Sequence, residues 1–148
     1  MKLELEQNRK QSEVEVLIKY ASMNEEVEHL IALVKTAEVR LKCRYDGAEK
    51  YVKASDIYYI ETVDKRTFVY GESAVYQTDY RLHELEELLG TAGIVRISKS
   101  CLLNIHILDS IKPLMNSRLE ATLQNGERLF VTRKYLHGIK DALQEGRQ

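Results

Sequence analysis

The feature that most constrains the fold is a series of short segments in which apolar and polar residues alternate, separated by residues typical of turns. Alternation of this kind places the apolar side chains on one face of a β-strand. Residues 39–45, which read VRLKCRY, are the clearest example, and the dipeptides Asp46-Gly47 and Asn125-Gly126 favour two-residue hairpins. The pattern predicts a mainly β (α+β) fold of eight or more strands, joined mostly by local hairpins.

The predicted elements after residue 38 follow from the same reasoning. Strands are predicted over residues 39–45, 49–52, 57–63, 67–70, 74–78, 94–97, 107–113, 118–124 and 127–131. Leucines at helical spacing predict a short helix that is capped by Thr78 or Asp79 and ends at Gly90, and Thr132 is a candidate cap for a last helix. The segment SKSCLLN, residues 98–104, has no periodicity that assigns it to a helix or a strand.

Residues 1–38 form a separate unit in the pattern. Residues 3–7 and 13–19 alternate as strands do, and Ser22 with Glu25 fits a capping box before an acidic amphipathic helix. A strand-strand-helix extension is too small to fold alone, so we divide the chain into 1–38 and 39–148. The apolar stripe of the helix can pack on the same chain's β core, form a homodimer, or dock an inhibitory partner.

Several classes of protein are excluded by what the sequence lacks. No segment reaches the roughly 20 apolar residues of a membrane-spanning helix, and the first residues have no signal-peptide core, so we expect a cytoplasmic protein without membrane insertion. Cys43 and Cys101 lack metal-ligand or disulfide spacing and are expected to be reduced thiols. No phosphate-binding glycine loop and no metal motif occurs, so no cofactor is predicted.

A catalytic interpretation has little support. Ser98, Ser100 and Cys101 precede His106, which offers a nucleophile and a base for a hydrolase. No motif supplies the orienting group and the oxyanion site that such chemistry needs, so we expect no enzymatic activity.

Cations are concentrated in three turns beside strand ends. The three segments are residues 61–67 (ETVDKRT), 96–100 (RISKS) and 131–135 (VTRKY), and each mixes Lys or Arg with Ser or Thr. Hydroxyl groups bind phosphate oxygens and long cations reach guanine edges, so this mixture favours DNA binding. Residues 39–148 carry seventeen basic and fifteen acidic residues, whereas residues 1–38 carry five and eight. The mild positive balance fits a specific DNA binder with a small footprint.

Four segments in order resemble the LytTR domain, the DNA-binding module of LytR/AlgR-type bacterial transcription regulators. IYYIETVDKRTFVY is similar to the family's strand–charged turn–strand, and YRLHELEELL to its leucine-rich helix. IVRISKSCLLNIHIL resembles the signature F-x-R-x-h-R-S-x-x-V-N, with Asn104 at the final position. NGERLFVTRKYLHGIKDAL is similar to the closing hairpin and last helix.

The resemblance implies an elongated domain of several small stacked antiparallel sheets. Such domains insert loop residues into successive major grooves of double-stranded DNA and bind as pairs on repeated half-sites, which implies a homodimer. It implies base contacts from Lys65, Arg66, Thr67, Lys99 and Arg133. Phosphate contacts are assigned to Arg96, Ser98, Ser100, Thr132 and Lys134. Arg96 can alternatively form an internal ion pair, and Asn104 is predicted to satisfy buried backbone groups.

Departures from the family pattern bear on regulation and base preference. Lys99 and Thr132 stand where many members carry Arg and Ser, and lysine lacks the planar fork of arginine. Residues 1–38 contain no aspartate, so control by a receiver phosphoaspartate is not expected. They resemble the extension of small stand-alone members, which are often encoded beside a small membrane protein that inhibits them. The alternative function is a protein-interaction module on a LytTR-like fold that has lost DNA binding.

Overall fold

The computed structural model describes residues 1–145, which form ten β-strands and three α-helices. The helices are α1 (Glu25–Glu38), α2 (Leu82–Leu89) and α3 (Leu136–Glu145). The strands are β1 (Arg40–Tyr45), β2 (Ala48–Lys53), β3 (Tyr59–Val63), β4 (Arg66–Tyr70), β5 (Val75–Thr78), β6 (Ile94–Ser98), β7 (Cys101–Asn104), β8 (Leu108–Leu114), β9 (Arg118–Leu123) and β10 (Arg128–Val131). The predicted mainly β class is confirmed.

The strands form two antiparallel sheets. One sheet has seven strands in the order β2-β1-β5-β4-β3-β7-β6, and the other has three in the order β10-β9-β8. Strands β1 and β5 meet at a single residue pair, Arg44 with Gln77. An ion pair of 2.6 Å between Arg44 Nη1 and Asp79 Oδ1 and a hydrogen bond of 2.9 Å from Thr78 Oγ1 to the Lys42 carbonyl reinforce this junction. The large sheet is thus a five-stranded sheet extended by the β1–β2 hairpin.

Buried residues on both faces of the large sheet explain the segment that periodicity could not assign. On β7, Leu102 packs with α2 on one face, whereas Leu103 packs against the three-stranded sheet and α3 on the other. All four residues of β7 are buried. A strand covered on both faces has no polar side to alternate with, so CLLN carries no period of two.

Two hairpins, at Asp46-Gly47 and Asp64-Lys65, have two-residue loops in which both residues have positive φ, as the type I′ turn requires. The β8–β9 loop has three residues, 115–117, of which Asn116 and Ser117 have positive φ. The predicted two-residue turn at Asn125-Gly126 is instead a four-residue connection between β9 and β10, residues 124–127. In this connection Gly126 adopts a φ of +89°, and its N–H donates to the Leu123 carbonyl at 2.9 Å.

The helix caps differ from the predicted ones. Asn24, not Ser22, caps α1, because its Oδ1 accepts the Val27 N–H at 3.0 Å. Helix α2 begins at Leu82, where the Glu84 carboxylate accepts the Arg81 N–H at 2.9 Å. The predicted caps of α2 lie too early, since the Thr78 hydroxyl bonds the neighbouring strand instead.

The two strands predicted in the extension do not form in the single chain. Residues 1–24 contain no strand, because no neighbouring strand supplies hydrogen-bond partners for them. Helix α1 does form, and it packs on the rest of the chain near residues 54–56 and 90–92. Val27 is buried in that contact, while Leu33 and Val34 are exposed. Part of the apolar stripe therefore covers the chain's own core, and part faces solvent.

Candidate nucleic-acid interface

The first of the three cation-bearing turns is the β3–β4 hairpin. Lys65 occupies the left-handed region with a φ of +64°, and both Lys65 and Arg66 are exposed. Thr67 points inward with 5% of its surface exposed, and its Oγ1 lies 3.5 Å from Thr62 Oγ1 on the paired strand. The turn thus presents two cations and holds Thr67 inside the sheet.

The second turn, Ser98–Ser100 between β6 and β7, is fixed by Arg96. The guanidinium donates from Nε to the Ser98 carbonyl at 3.0 Å and from Nη2 to the Lys99 carbonyl at 2.7 Å. Its Nη1 lies 3.0 Å from Glu86 Oε1 on α2. The Arg96 side chain is 18% exposed, whereas Lys99 is exposed. Of the two alternatives for Arg96, the structure contains the internal ion pair.

The third turn follows β10 and leads into α3. The Thr132 N–H donates to the Ile97 carbonyl at 2.9 Å, and its hydroxyl lies 3.4 Å from the same oxygen. The hydroxyl therefore does not cap the last helix, which is preceded by a 3-10 turn over Arg133–Tyr135. Arg133 and Lys134 are both exposed at the start of this turn.

Backbone hydrogen bonds hold the three turns at one edge of the molecule. The Thr62 N–H donates to the Ser100 carbonyl at 2.9 Å, which joins the first turn to the second. The bond from Thr132 to Ile97 joins the third turn to β6, the strand that precedes the second turn. The Tyr135 ring adds to this contact, with its centroid 5.9 Å from Arg96 Cζ.

We call the side chains that these turns present the cationic edge. Its members are Lys65, Arg66, Lys99, Arg133 and Lys134. None of them forms an ion pair within residues 1–145, whereas Lys42, Arg44, Arg96 and Arg128 do. Ser98, Ser100 and Thr132 lie between these cations. Unneutralised cations beside hydroxyl groups create a local positive potential that suits a polyanion.

Sequence reasoning missed the residues that hold the edge together. Thr62 and Tyr135 lie within the cation-bearing segments without a predicted role, and nothing in the sequence marks Glu86 of α2 as the partner of Arg96. The one signal in the sequence was that Arg96 could form either a phosphate contact or an internal ion pair, and the sequence named no partner for that pair.

Asn104 has the structural role predicted for it. It is 1% exposed, its Nδ2 donates to the Ile57 carbonyl at 2.8 Å, and its Oδ1 accepts the His106 N–H at 2.9 Å. The amide side chain thereby satisfies two backbone groups that the strand ladder leaves open.

The nucleophile and base considered for a hydrolase are not brought together. Burial raises the pKa of Cys101 to about 12, and its thiol points to the Leu102 carbonyl. His106 instead lies against His29 of α1, with ring centroids 5.3 Å apart. Burial, and secondarily the neighbouring His29, lowers the pKa of His106. Within residues 1–145 no group of three or more His, Cys, Asp or Glu residues is arranged to hold a metal ion.

Helix length and polarity bear on membrane contact. In the part of the chain that the structure describes, no helix is long and apolar enough to cross a bilayer.

Comparisons with known proteins agree with the geometry. The model of the LytTr DNA-binding domain matches residues 49–144. A solved LytTr DNA-binding domain, from a putative methyl-accepting/DNA response regulator of Bacillus cereus, is similar in structure with a TM-score of 0.67 and 26% identity. It covers 72% of this chain, and the match spans 97% of that domain.

Two curated relatives differ in how much of their length this chain covers. A protein of Staphylococcus aureus (strain MSSA476), described as an uncharacterized HTH-type transcriptional regulator, is 26% identical over 97% of this chain and 98% of its own length. The sensory transduction protein LytT of Enterococcus faecalis is 26% identical over 62% of this chain but only 38% of its own length. The family model covers well over half of the sequence, and the chain belongs to the family of the LytTr DNA-binding domain, a module of transcription regulators and not a class of enzyme.

Proposed function

We propose that this chain is a sequence-specific transcription regulator whose three cation-bearing turns enter successive major grooves of double-stranded DNA. The observation that carries the proposal is the cationic edge, with five cations that form no ion pair within residues 1–145, on three turns that backbone hydrogen bonds hold together. Turns fixed in this way lose little conformational freedom on binding, which favours affinity.

The contacts divide by chemistry. We assign base contacts to Lys65, Arg66, Lys99 and Arg133, because long cations reach the acceptors of guanine in the major groove. We assign phosphate contacts to the shorter or flanking groups, which are Ser98, Ser100, Thr132 and Lys134. Thr67 and Arg96 are part of the support in this proposal, since one is buried in the sheet and the other has its donors engaged.

Control is assigned to residues 1–38, which pair two copies on repeated half-sites of DNA. These residues contain no aspartate that could act as a phosphoacceptor, so we propose control by association. The exposed part of the α1 stripe, at Leu33 and Val34, is the surface to which a small inhibitory membrane protein would bind.

The test begins with selection of a binding site from a pool of random duplexes, followed by titrations at several salt concentrations. Arg133→Ala and Lys99→Ala should reduce the preference for the selected site by about tenfold or more, because a bidentate base contact contributes roughly 1–3 kcal/mol. Lys134→Ala should weaken selected and scrambled duplexes equally and lower the salt slope by about 0.9.

Lys53→Ala is the matched control. Lys53 is an exposed cation on β2, at the opposite edge of the seven-stranded sheet from β6. Its removal should leave both preference and salt slope unchanged. If the parent chain enriches no sequence and binds no duplex at low salt, the interaction-module alternative replaces the proposal.

A further inference from the structure

The first 24 residues leave apolar side chains in water. Val14 and Val16, which would share one strand face with the half-buried Ile18, are 93% and 58% exposed. The segment that contains them forms no strand or helix in the single chain. Alternating β-branched residues favour a strand whose backbone is paired, and nothing among residues 1–145 supplies that pairing for residues 13–19.

A hairpin within the same chain would oppose like charges. The chain reverses at a turn over residues 8–11, and a hairpin about that turn pairs each residue n with residue 19 − n. That register places Glu6 opposite Glu13 and Glu4 opposite Glu15. Like charges directly opposite each other destabilise a strand pair, which is consistent with the absence of such a hairpin in residues 1–24.

Pairing with a second copy has the opposite charge pattern. We propose that residues 13–19 form an antiparallel strand pair with residues 13–19 of a second copy, centred on Val16. Each Glu13 then lies opposite Lys19 of the other copy, and Val14 opposite Ile18. Neither Glu13 nor Lys19 has an ion-pair partner among residues 1–145.

Symmetry makes this register self-consistent. An antiparallel pair of identical strands has a two-fold axis, so both copies use the same surface and the assembly closes as a dimer. Val14, Val16 and Ile18 of both copies share one face, which gives a continuous patch of six β-branched side chains. Since α1 follows the strand and packs on the domain through Val27, the pair would link two cationic edges.

This inference deepens the proposed pairing of copies on DNA, and it is tested without DNA so that the two can fail separately. Glu13→Lys alone places Lys opposite Lys, and Lys19→Glu alone places Glu opposite Glu. Each should raise the dimer dissociation constant, measured by sedimentation equilibrium, by about tenfold because the change occurs twice in a symmetric dimer. Glu72→Lys, the same change of charge at an exposed residue of the turn between β4 and β5, should leave it unchanged.

Mixing the two variants tests the register itself. A Glu13→Lys chain paired with a Lys19→Glu chain has opposite charges at both positions, so the mixture should recover the parent dissociation constant as a heterodimer. Failure to recover it, or a parent chain that stays monomeric at tens of micromolar, overturns the proposal. In the monomeric case the exposed segment would be left for a different protein.

A cross-link locates the two-fold axis. Val16→Cys should form an intermolecular disulfide on mild oxidation, because the two Val16 residues face each other. Val14→Cys is the control, since its two copies would lie about 13 Å apart along the strands. The native Cys43 and Cys101 are buried and do not compete. Equal or faster cross-linking of Val14→Cys would refute the register.

Discussion

Replacing Arg96 by methionine tests whether Arg96 holds the Ser98–Ser100 turn in place or contacts DNA phosphate itself. The substitution removes two hydrogen bonds to backbone carbonyls, at 3.0 and 2.7 Å, and the ion pair with Glu86. Each charge-assisted bond contributes about 1 kcal/mol where water can reach the acceptor, and a partly exposed ion pair contributes under about 1 kcal/mol. Arg96→Met should therefore lower the free energy of unfolding by about 2–3 kcal/mol, whereas Glu86→Gln should lower it by about 0.5 kcal/mol.

The assay combines urea unfolding with DNA titration over a range of salt. If Arg96 only holds the turn, Arg96→Met loses affinity for the selected duplex by roughly tenfold, since Lys99 must be ordered on binding. The slope of log affinity against log salt then stays unchanged, because no phosphate contact is lost. A slope lower by about 0.9 with unchanged stability would refute this reasoning and return Arg96 to the phosphate contacts.

Three further outcomes follow from the buried groups. A Cβ at Gly93, whose φ is +84°, would lie 2.5 Å from His106 Nε2, so Gly93→Ala should destabilise the chain by about 2–3 kcal/mol in thermal or urea unfolding. At Gly126, with a φ of +89° and open space around it, the same change should cost only about 1 kcal/mol. The pKa of His106 is lowered in the folded state, so the unfolded state binds more protons, and the free energy of unfolding should fall as the pH drops below about 6.5. His106→Gln should make the free energy of unfolding depend less on pH between 7.5 and 5.5. Burial raises the pKa of Cys43 to about 11 and that of Cys101 to about 12, so a thiol reagent at pH 8 should label neither until the chain unfolds; rapid labelling under native conditions would contradict the burial.

The strands whose positions were predicted well are those with one face exposed to solvent and the other buried. Residues 39–45 alternate because β1 has one covered side, and the prediction differs from the strand by a single residue. Strand β7 could not be assigned because packing on its second face depends on the distant three-stranded sheet, which no local pattern encodes. The joining of seven strands into one sheet could likewise not be predicted, because β1 and β5 pair through one residue pair whose members are 33 positions apart in sequence.

The predicted helix caps, and the strands predicted in residues 1–38, were wrong for a related reason. The hydroxyl of Thr78 had two possible partners, a helix N-terminus and the Lys42 carbonyl, and only the tertiary structure decides between them. The strands predicted at 3–7 and 13–19 have the right periodicity but no partner in the single chain. The cationic edge was predictable as three sets of charges, whereas the identity of Arg96 as its support needed the position of Glu86.

The left-handed backbone conformation of Lys65 lowers the stability of the fold, while its side chain contributes a cation to the cationic edge. A lysine in the left-handed region is less favourable than glycine or asparagine would be there, by about 1 kcal/mol. Lys65→Gly or Lys65→Asn would thus raise the melting temperature while removing a cation from the edge. Screens that select for heat resistance should enrich such changes, and the survivors should include well-folded chains that no longer regulate.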